Sequence, residues 1–203
     1  MSDPFRLIVG LSGASGVIFG IRLLEVLAAD PGVETHLVMS PAARQTIALE
    51  TDRDARDVEA LADIRYRYGD IAASISSGSY PIDAMVVVPC SMGTLSAIAL
   101  SSSDNLLERA ADVTLKERRR LVLVPREAPL HLGHLRLMTQ ATEIGAIVCP
   151  PSPAFYSRPK TLEDIVDHSV ARLLDLLGIR LADELSPRWV GPERGAERGQ
   201  ESV

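Results

Sequence analysis

Short apolar runs alternate with amphipathic stretches along almost the whole chain, and each change of period marks an element. Phe5–Gly10 is a mainly apolar run of strand length, suited to burial on both faces. From Ser15 onward, Val17, Ile18, Ile21, Leu24 and Leu27 recur at helical spacing until Asp30-Pro31-Gly32 ends the stripe. Val33–Met39 predicts a second strand. Ser40-Pro41 then opens a helix running to about Thr51, with Ser at the cap and Pro at the first helical position. Arg53–Ala62 predicts a further, polar helix. Arg65–Tyr80 has less pattern: Ile71–Ile75 offers a short helical stretch, and Ser76-Ser-Gly-Ser-Tyr80 is loop chemistry. Beyond it the chain predicts a strand at Ala84–Val88, a small-residue helix near Leu95–Leu100, and a helix capped by Asp104 or Asn105 that reaches Glu117. A strand at Leu121–Val124, a helix over Pro129–Ile144 closed by Gly145, and a strand at Ala146–Cys149 follow. A proline-rich loop, Pro150–Pro159, leads into the last amphipathic helix, Leu162–Leu177. Strands alternating with helices, without internal repeat or linker, predict one α/β domain on a doubly wound parallel sheet. The polar stretch from Gly191 is expected to be a disordered tail.

Composition narrows the function classes. With 203 residues and 46% hydrophobic content, the chain suits a single sizeable core. A net charge of −6 argues against a general nucleic-acid or membrane-surface binder. No apolar run approaches the ~20 residues of a membrane span, and Met-Ser-Asp-Pro is no signal peptide. Cys90 and Cys149 lack metal-ligand spacing and read as reduced thiols of a cytoplasmic protein. The basic residues Arg109, Lys116, Arg118, Arg119, Arg120 and Arg126 crowd one stretch, opposed there only by Asp112 and Glu117.

Two strand-to-helix turns carry the strongest chemical signal. Leu7-Ile-Val-Gly-Leu-Ser-Gly-Ala-Ser-Gly16 and Met85-Val-Val-Val-Pro-Cys-Ser-Met-Gly-Thr94 each run from an apolar strand through small hydroxyl residues into a helix. Such a turn presents backbone N–H groups, hydroxyls and the positive end of a helix dipole to an anion. Two of them predict a phosphate-bearing ligand along the carboxyl edge of the sheet. The glycine spacing fits neither the dinucleotide fingerprint nor a P-loop. Arg126-Glu127 follows a strand directly at that same edge, so Arg126 is placed to bind an anion. Glu127 could transfer a proton if burial raised its pKa. Tyr156 sits in the proline-rich loop, while Lys116 and Arg172 read as ordinary surface charges on spacing alone. His36, His131, His134 and His168 form no metal pattern, and Ser15 is not in a nucleophile elbow.

Seven blocks together resemble the UbiX/Pad family of flavin prenyltransferases. They are Gly10–Gly16, Glu50-Thr-Asp52, Pro89–Leu95, Asn105–Arg119, Val124–Pro129, Pro153-Ala-Phe-Tyr156 and Pro187-Arg-Trp189. The resemblance reaches to about Trp189, so residues 1–189 read as the flavoprotein domain and 190–203 as the tail. It implies a flavodoxin-like, Rossmann-type subunit that assembles into a dodecamer and binds FMN between subunits. The implied reaction moves a dimethylallyl group from dimethylallyl monophosphate to reduced FMN, at N5 and then C6, without a metal. Its product, prenylated FMN, serves UbiD-type decarboxylases in pathways such as ubiquinone synthesis. By the same resemblance Gly13, Ala14 and Ser15 lie against the flavin, and Ser40, Ser91, Met92, Gly93, Thr94 and Arg126 hold ring and phosphate. Lys116, Tyr156 and Arg172 hold the donor phosphate, with Glu50 and Arg109 nearby. Glu127 is the implied acid/base and Ser15 a proton relay. Some family members carry a tryptophan before the second turn; Arg65–Tyr80 has none, which leaves Tyr80 as the candidate aromatic wall. Two alternatives stand beside this reading. A flavin-dependent cysteine decarboxylase would carry a Pro-x-Met-Asn-x-x-Met-Trp motif, whereas here the chain after Glu127 reads Ala-Pro-Leu-His-Leu-Gly-His. A non-catalytic flavin-binding partner of a decarboxylase would not need Glu127, Lys116, Tyr156 and Arg172 together.

Overall fold

The computed structural model describes residues 3–181 and 184–187. Its centre is a six-stranded sheet in the order β3-β2-β1-β4-β5-β6, with every pairing parallel. The strands are β1 (Phe5–Leu11), β2 (Val33–Met39), β3 (Ile64–Tyr66), β4 (Ala84–Cys90), β5 (Arg120–Pro125) and β6 (Ile147–Val148). Seven helices connect or flank them: α1 (Val17–Ala28), α2 (Pro41–Glu50), α3 (Ala55–Glu59), α4 (Met92–Ala99), α5 (Leu106–Lys116), α6 (Leu132–Glu143) and α7 (Leu162–Leu177). The sheet is doubly wound, of the expected flavodoxin-like, Rossmann-type class. Strand order reverses between β1 and β4, the position at which open parallel sheets bind ligands beyond their carboxyl ends.

Side-chain alternation along β1 divides the core into two layers. Leu7, Val9 and Leu11 pack with Ile21 and Leu24 of α1, Ile47 of α2 and Leu173 of α7. Ile8 faces the other way, among Leu95 of α4, Leu107 of α5 and Ala141 of α6. With a helical layer on each face, the central strands have no solvent side, and all seven residues of β4 are buried. This is why those strands read as apolar runs rather than as an alternation.

The capped elements α2, α5 and α7 lie close to where the sequence puts them, while α4 opens at Met92, three residues before the expected start at Leu95. The side chains of Ser40, Ser91, Asn105 and Thr161 each accept a first-turn amide, opening α2, α4, α5 and α7. Other boundaries differ. The polar helix expected over Arg53–Ala62 is only Ala55–Glu59, and α6 starts at Leu132 rather than Pro129, capped by His131. Ile71–Ile75 is not an α-helix; a single 3-10 turn occupies Ser74–Ser76. The edge strand β3 is an addition to the expected set, because three residues carrying a central arginine give no readable period. Trp189 and the expected disordered tail lie outside the described residues. No described helix is long and apolar enough to cross a membrane.

Candidate active site

Both strand-to-helix turns lie at the switch point, and a buried serine joins them. Ser12, 1% exposed, donates its hydroxyl to Pro89 O (2.9 Å), while its Oγ accepts the Ser91 amide (2.7 Å). At the second turn Ser91 Oγ accepts the Thr94 amide (3.2 Å) and donates to Thr94 Oγ1 (3.0 Å). The amides of Met92 and Gly93 head α4 with no carbonyl four residues back inside the helix. A Cβ built on Gly93 would meet nothing closer than Ser91 Oγ at 3.9 Å, so the space over this turn is open. Exposed first-turn amides, two hydroxyls and open space suit a phosphate.

The first turn is finished differently. Glu50 Oε2 accepts the amides of Gly16 (2.8 Å) and Val17 (3.2 Å), and the Ser15 hydroxyl also bonds this carboxylate. The expectation that both turns offer all their amides to a ligand is corrected here: the start of α1 already holds an anion, supplied by the end of α2. Burial alone would raise the Glu50 pKa. The Ser15 hydroxyl, the two amides and the charge of Arg126 outweigh it and hold the carboxyl below its ordinary value. Gly13 has a packing reason to be glycine, since a Cβ there would stand 2.3 Å from Ala42 Cβ. Gly16 adopts φ +92°, a left-handed geometry that an L side chain would strain. Ser40, 6% exposed, caps α2 through Ala43 N at 3.0 Å, leaving its hydroxyl proton to direct elsewhere.

Arg126 and Glu127 emerge where β5 ends, with Arg126 N bonded to Cys90 O at 3.3 Å. Both side chains are exposed, and among the described residues Glu127 Oε1 accepts just the adjacent Ala128 amide (3.0 Å).

Tyr156 and Arg172 come together. They line one cavity of about 710 Å³ with His168, Asp175 and Ser186. The Tyr156 and His168 rings meet edge to face at 5.8 Å, and His168 Nδ1 lies 3.2 Å from Ser186 Oγ. Arg172 also approaches Cys149; burial pushes that thiol up, and the guanidinium partly offsets it. Arg22 Nε binds Asp167 Oδ1 at 2.7 Å and so ties α7 to the helix that follows the first turn.

Lys116 and Arg109 are not in this group. Lys116 closes α5 just before Arg120 begins β5, which puts it at the amino edge of the sheet, paired with Glu117 beside Gly78. A seven-residue strand rises roughly 20 Å, so Lys116 stands about that far from the turns of its own chain. Arg109 is held by Asp112 (2.8 Å) and Ser76 O (3.3 Å). Tyr80 lies on that side too: its ring meets buried His36 edge-on at 5.7 Å and its carbonyl accepts from Arg119 at 3.0 Å. It does not line the carboxyl-edge site of this chain. Among the described residues no three His, Cys, Asp or Glu side chains cluster so as to hold a metal ion. Sequence reading missed Ser12 as a connector and His168 as a neighbour of Tyr156. A helical position four before Arg172 was the only available signal for the latter.

This geometry defines an α/β protein whose open turn at the switch point of its sheet suits an anionic ligand. Residues 1–174 match the Flavoprotein family. The chain is 61% identical over 186 residues to the flavin prenyltransferase UbiX of Escherichia coli (strain K12), spanning 92% of this chain and 98% of that one. The crystal structure of a dodecameric FMN-dependent UbiX-like decarboxylase from Escherichia coli O157:H7 superposes with a TM-score of 0.88 at 52% identity, covering 93% of this chain and all of that one. That of AnUbiX (PadA1) in complex with FMN and dimethylallyl pyrophosphate gives 0.89 at 49%, covering 94% and 100%. The chain belongs to the Flavoprotein family, among the UbiX flavin prenyltransferases.

Proposed function

We propose that this protein transfers a dimethylallyl group from dimethylallyl monophosphate to reduced FMN, making prenylated FMN for a UbiD-type decarboxylase in the cytoplasm. The observation that carries this reading is the open phosphate-binding turn that stands at the carboxyl edge with the Ser15–Glu50–Arg126 cluster; the Tyr156–Arg172 cavity adds a second place for an anion. The family relationship supports it at high identity.

When bound, reduced FMN supplies the nucleophilic N5 and then C6 to which the prenyl carbons join. The chain's own residues bind, orient and move protons. The Met92 and Gly93 amides, the Ser91 and Thr94 hydroxyls and Arg126 hold the flavin phosphate and ring edge, and Gly13, Ala14, Ser15 and Ser40 line the ring. Tyr156 and Arg172 receive the donor phosphate. As its bond to the prenyl carbon breaks, charge collects on the phosphate oxygens, and fixed cationic and hydroxyl donors neutralise it in place of a metal. Glu127 transfers protons beside the departing phosphate, and Ser15, bonded to the Glu50 carboxylate, relays them.

In this reading Arg109 and Lys116 reach the donor phosphate from a neighbouring subunit. Their position on the amino-edge side supports this, as does the exposure of Glu127, which a neighbour would cover. The assembly is proposed to be a dodecamer.

Anaerobic incubation with reduced FMN and dimethylallyl monophosphate should yield a flavin heavier by one C5 unit on mass spectrometry. Recovery of unmodified flavin alone counts against the reading. Turnover should persist in excess EDTA; its abolition, with restoration by magnesium, would contradict charge neutralisation by side chains.

A further inference from the structure

We propose that Ser12 is a positioning residue, a latch that fixes the two turns relative to each other and thereby sets the seat of the flavin. The proposal rests on the flavin reading given above and adds a residue to it.

β1 and β4 are adjacent at the switch point, yet their ladder is paired only from Leu7↔Ala84 to Gly10↔Val87. Beyond it stands Pro89, which has no N–H to extend a ladder in the middle of a sheet. Ser12 takes over where the ladder stops. Its amide and its hydroxyl both donate to Pro89 O, at 3.2 and 2.9 Å, and its Oγ accepts the Ser91 amide at 2.7 Å. A hydroxyl that is 1% exposed thus uses donor and acceptor together.

Ser91 is the N-cap of α4, so this bond acts on the ligand-facing groups at one remove. It occupies the Ser91 amide, leaving Ser91 to face a ligand through its hydroxyl and α4 through the Met92 and Gly93 amides. It also holds Ser91 at φ −70°, ψ 154°, the extended geometry from which Oγ reaches Thr94 N. Without the Ser12 hydroxyl the Ser91 amide loses its partner, and the second turn is free to shift against the first. Phosphate and ring contacts would then no longer be in register with Ser15 and Glu127. A misplacement of this kind lowers kcat as well as affinity.

The test compares wild type, Ser12→Ala, Ser12→Thr and Ser12→Cys by apoprotein melting, FMN titration and turnover at saturating flavin. The bound-FMN absorption spectrum reports the seating of the ring. Ser12→Ala should weaken FMN binding about tenfold, the effect of a lost buried hydrogen bond. It should also lower kcat at saturating flavin and blur the vibronic structure of the bound flavin. Ser12→Thr, which keeps the hydroxyl, should recover kcat and the spectrum. If Ser12→Ala fails to fold, Ser12→Cys takes its place, keeping the bulk with a far weaker hydrogen-bonding group; it should show the same losses. Wild-type affinity and kcat in the hydroxyl-free variant overturn the proposal. So does a lowered melting temperature with unchanged kcat and spectrum, which is a merely structural role. A wild-type protein that takes up no FMN overturns the flavin reading and this proposal with it; wild-type conversion of flavin alongside an unaffected variant overturns the latch alone.

Discussion

At the first turn the amides opening α1 are closed by Glu50, a side chain arriving from the far end of α2. At the second the chain caps itself through Ser91 and leaves Met92 and Gly93 open. The two turns share strand, hydroxyls, glycine and helix, yet one carries a resident carboxylate and the other has room for a ligand's phosphate. A helix N-terminus is an anion site only as far as the rest of the fold leaves it one. Filling the first turn also holds the Glu50 carboxylate in its ionised form beside the Ser15 hydroxyl.

Breaking that distinction should give effects of graded size. The largest belongs to the third strand end, where Glu127→Gln should reduce turnover by about 10²–10⁴, the range for a lost general acid, and leave FMN bound. Arg126→Ala beside it should weaken FMN binding by about 1–3 kcal/mol. Equal loss of flavin from both variants, measured by titration, would deny the separation of roles. Glu50→Ala comes next: uncapping α1 should cost about 1–2 kcal/mol of stability. It should also create a new anion site, so inorganic phosphate would raise the melting temperature of this variant more than that of wild type. Equal phosphate shifts would mean the first turn was never closed by Glu50. Ser91→Ala should cost about 1 kcal/mol in denaturant unfolding. Unlike Glu50→Ala, it should weaken FMN binding too, and unchanged affinity would remove the second turn from the phosphate site.

The smallest effect is one of pH. The folded protein holds Glu50 below its ordinary value of 4.5, so its ionised form stabilises the fold fully above that pH. The contribution fades as pH falls through the lowered folded value. The melting-temperature gap between wild type and Glu50→Gln should therefore be constant from neutral pH to about 5 and shrink below it. A gap that widens in acid reverses the sign and contradicts the assignment.

Local chemistry was legible in the sequence. Ser40 and the Asp104-Asn105 pair were readable as caps, and β1 as a strand buried on both faces, because those properties depend on neighbours in the chain. Arg126 and Glu127 were placed at the carboxyl edge by the end of a single strand. The bond from Glu50 to Gly16 spans thirty-four residues and that from Ser12 to Ser91 seventy-nine, and neither leaves a periodic trace. Ser12 in particular is indistinguishable by sequence from Ser15 and Ser91; its burial and its bonds to Pro89 and Ser91 separate it from them. The place of Tyr80 was hidden for a related reason. Loop residues before a strand lie at its amino end, remote from turns that follow strands, and the missing tryptophan gave no geometric guide.

The separation of Lys116 from the turns of its own chain has an arithmetical consequence. Under the proposed sharing, each subunit is two-ended, giving flavin turns to one pocket and a cation to the next. A row of such units with free ends always leaves one pocket incomplete, whereas a ring completes every one. In mixed rings, a Lys116→Ala subunit spoils one pocket wherever it sits, so activity should fall in direct proportion to its share. A subunit carrying both Lys116→Ala and Glu127→Gln spoils its own pocket and its neighbour's, and activity should follow the square of the wild-type fraction.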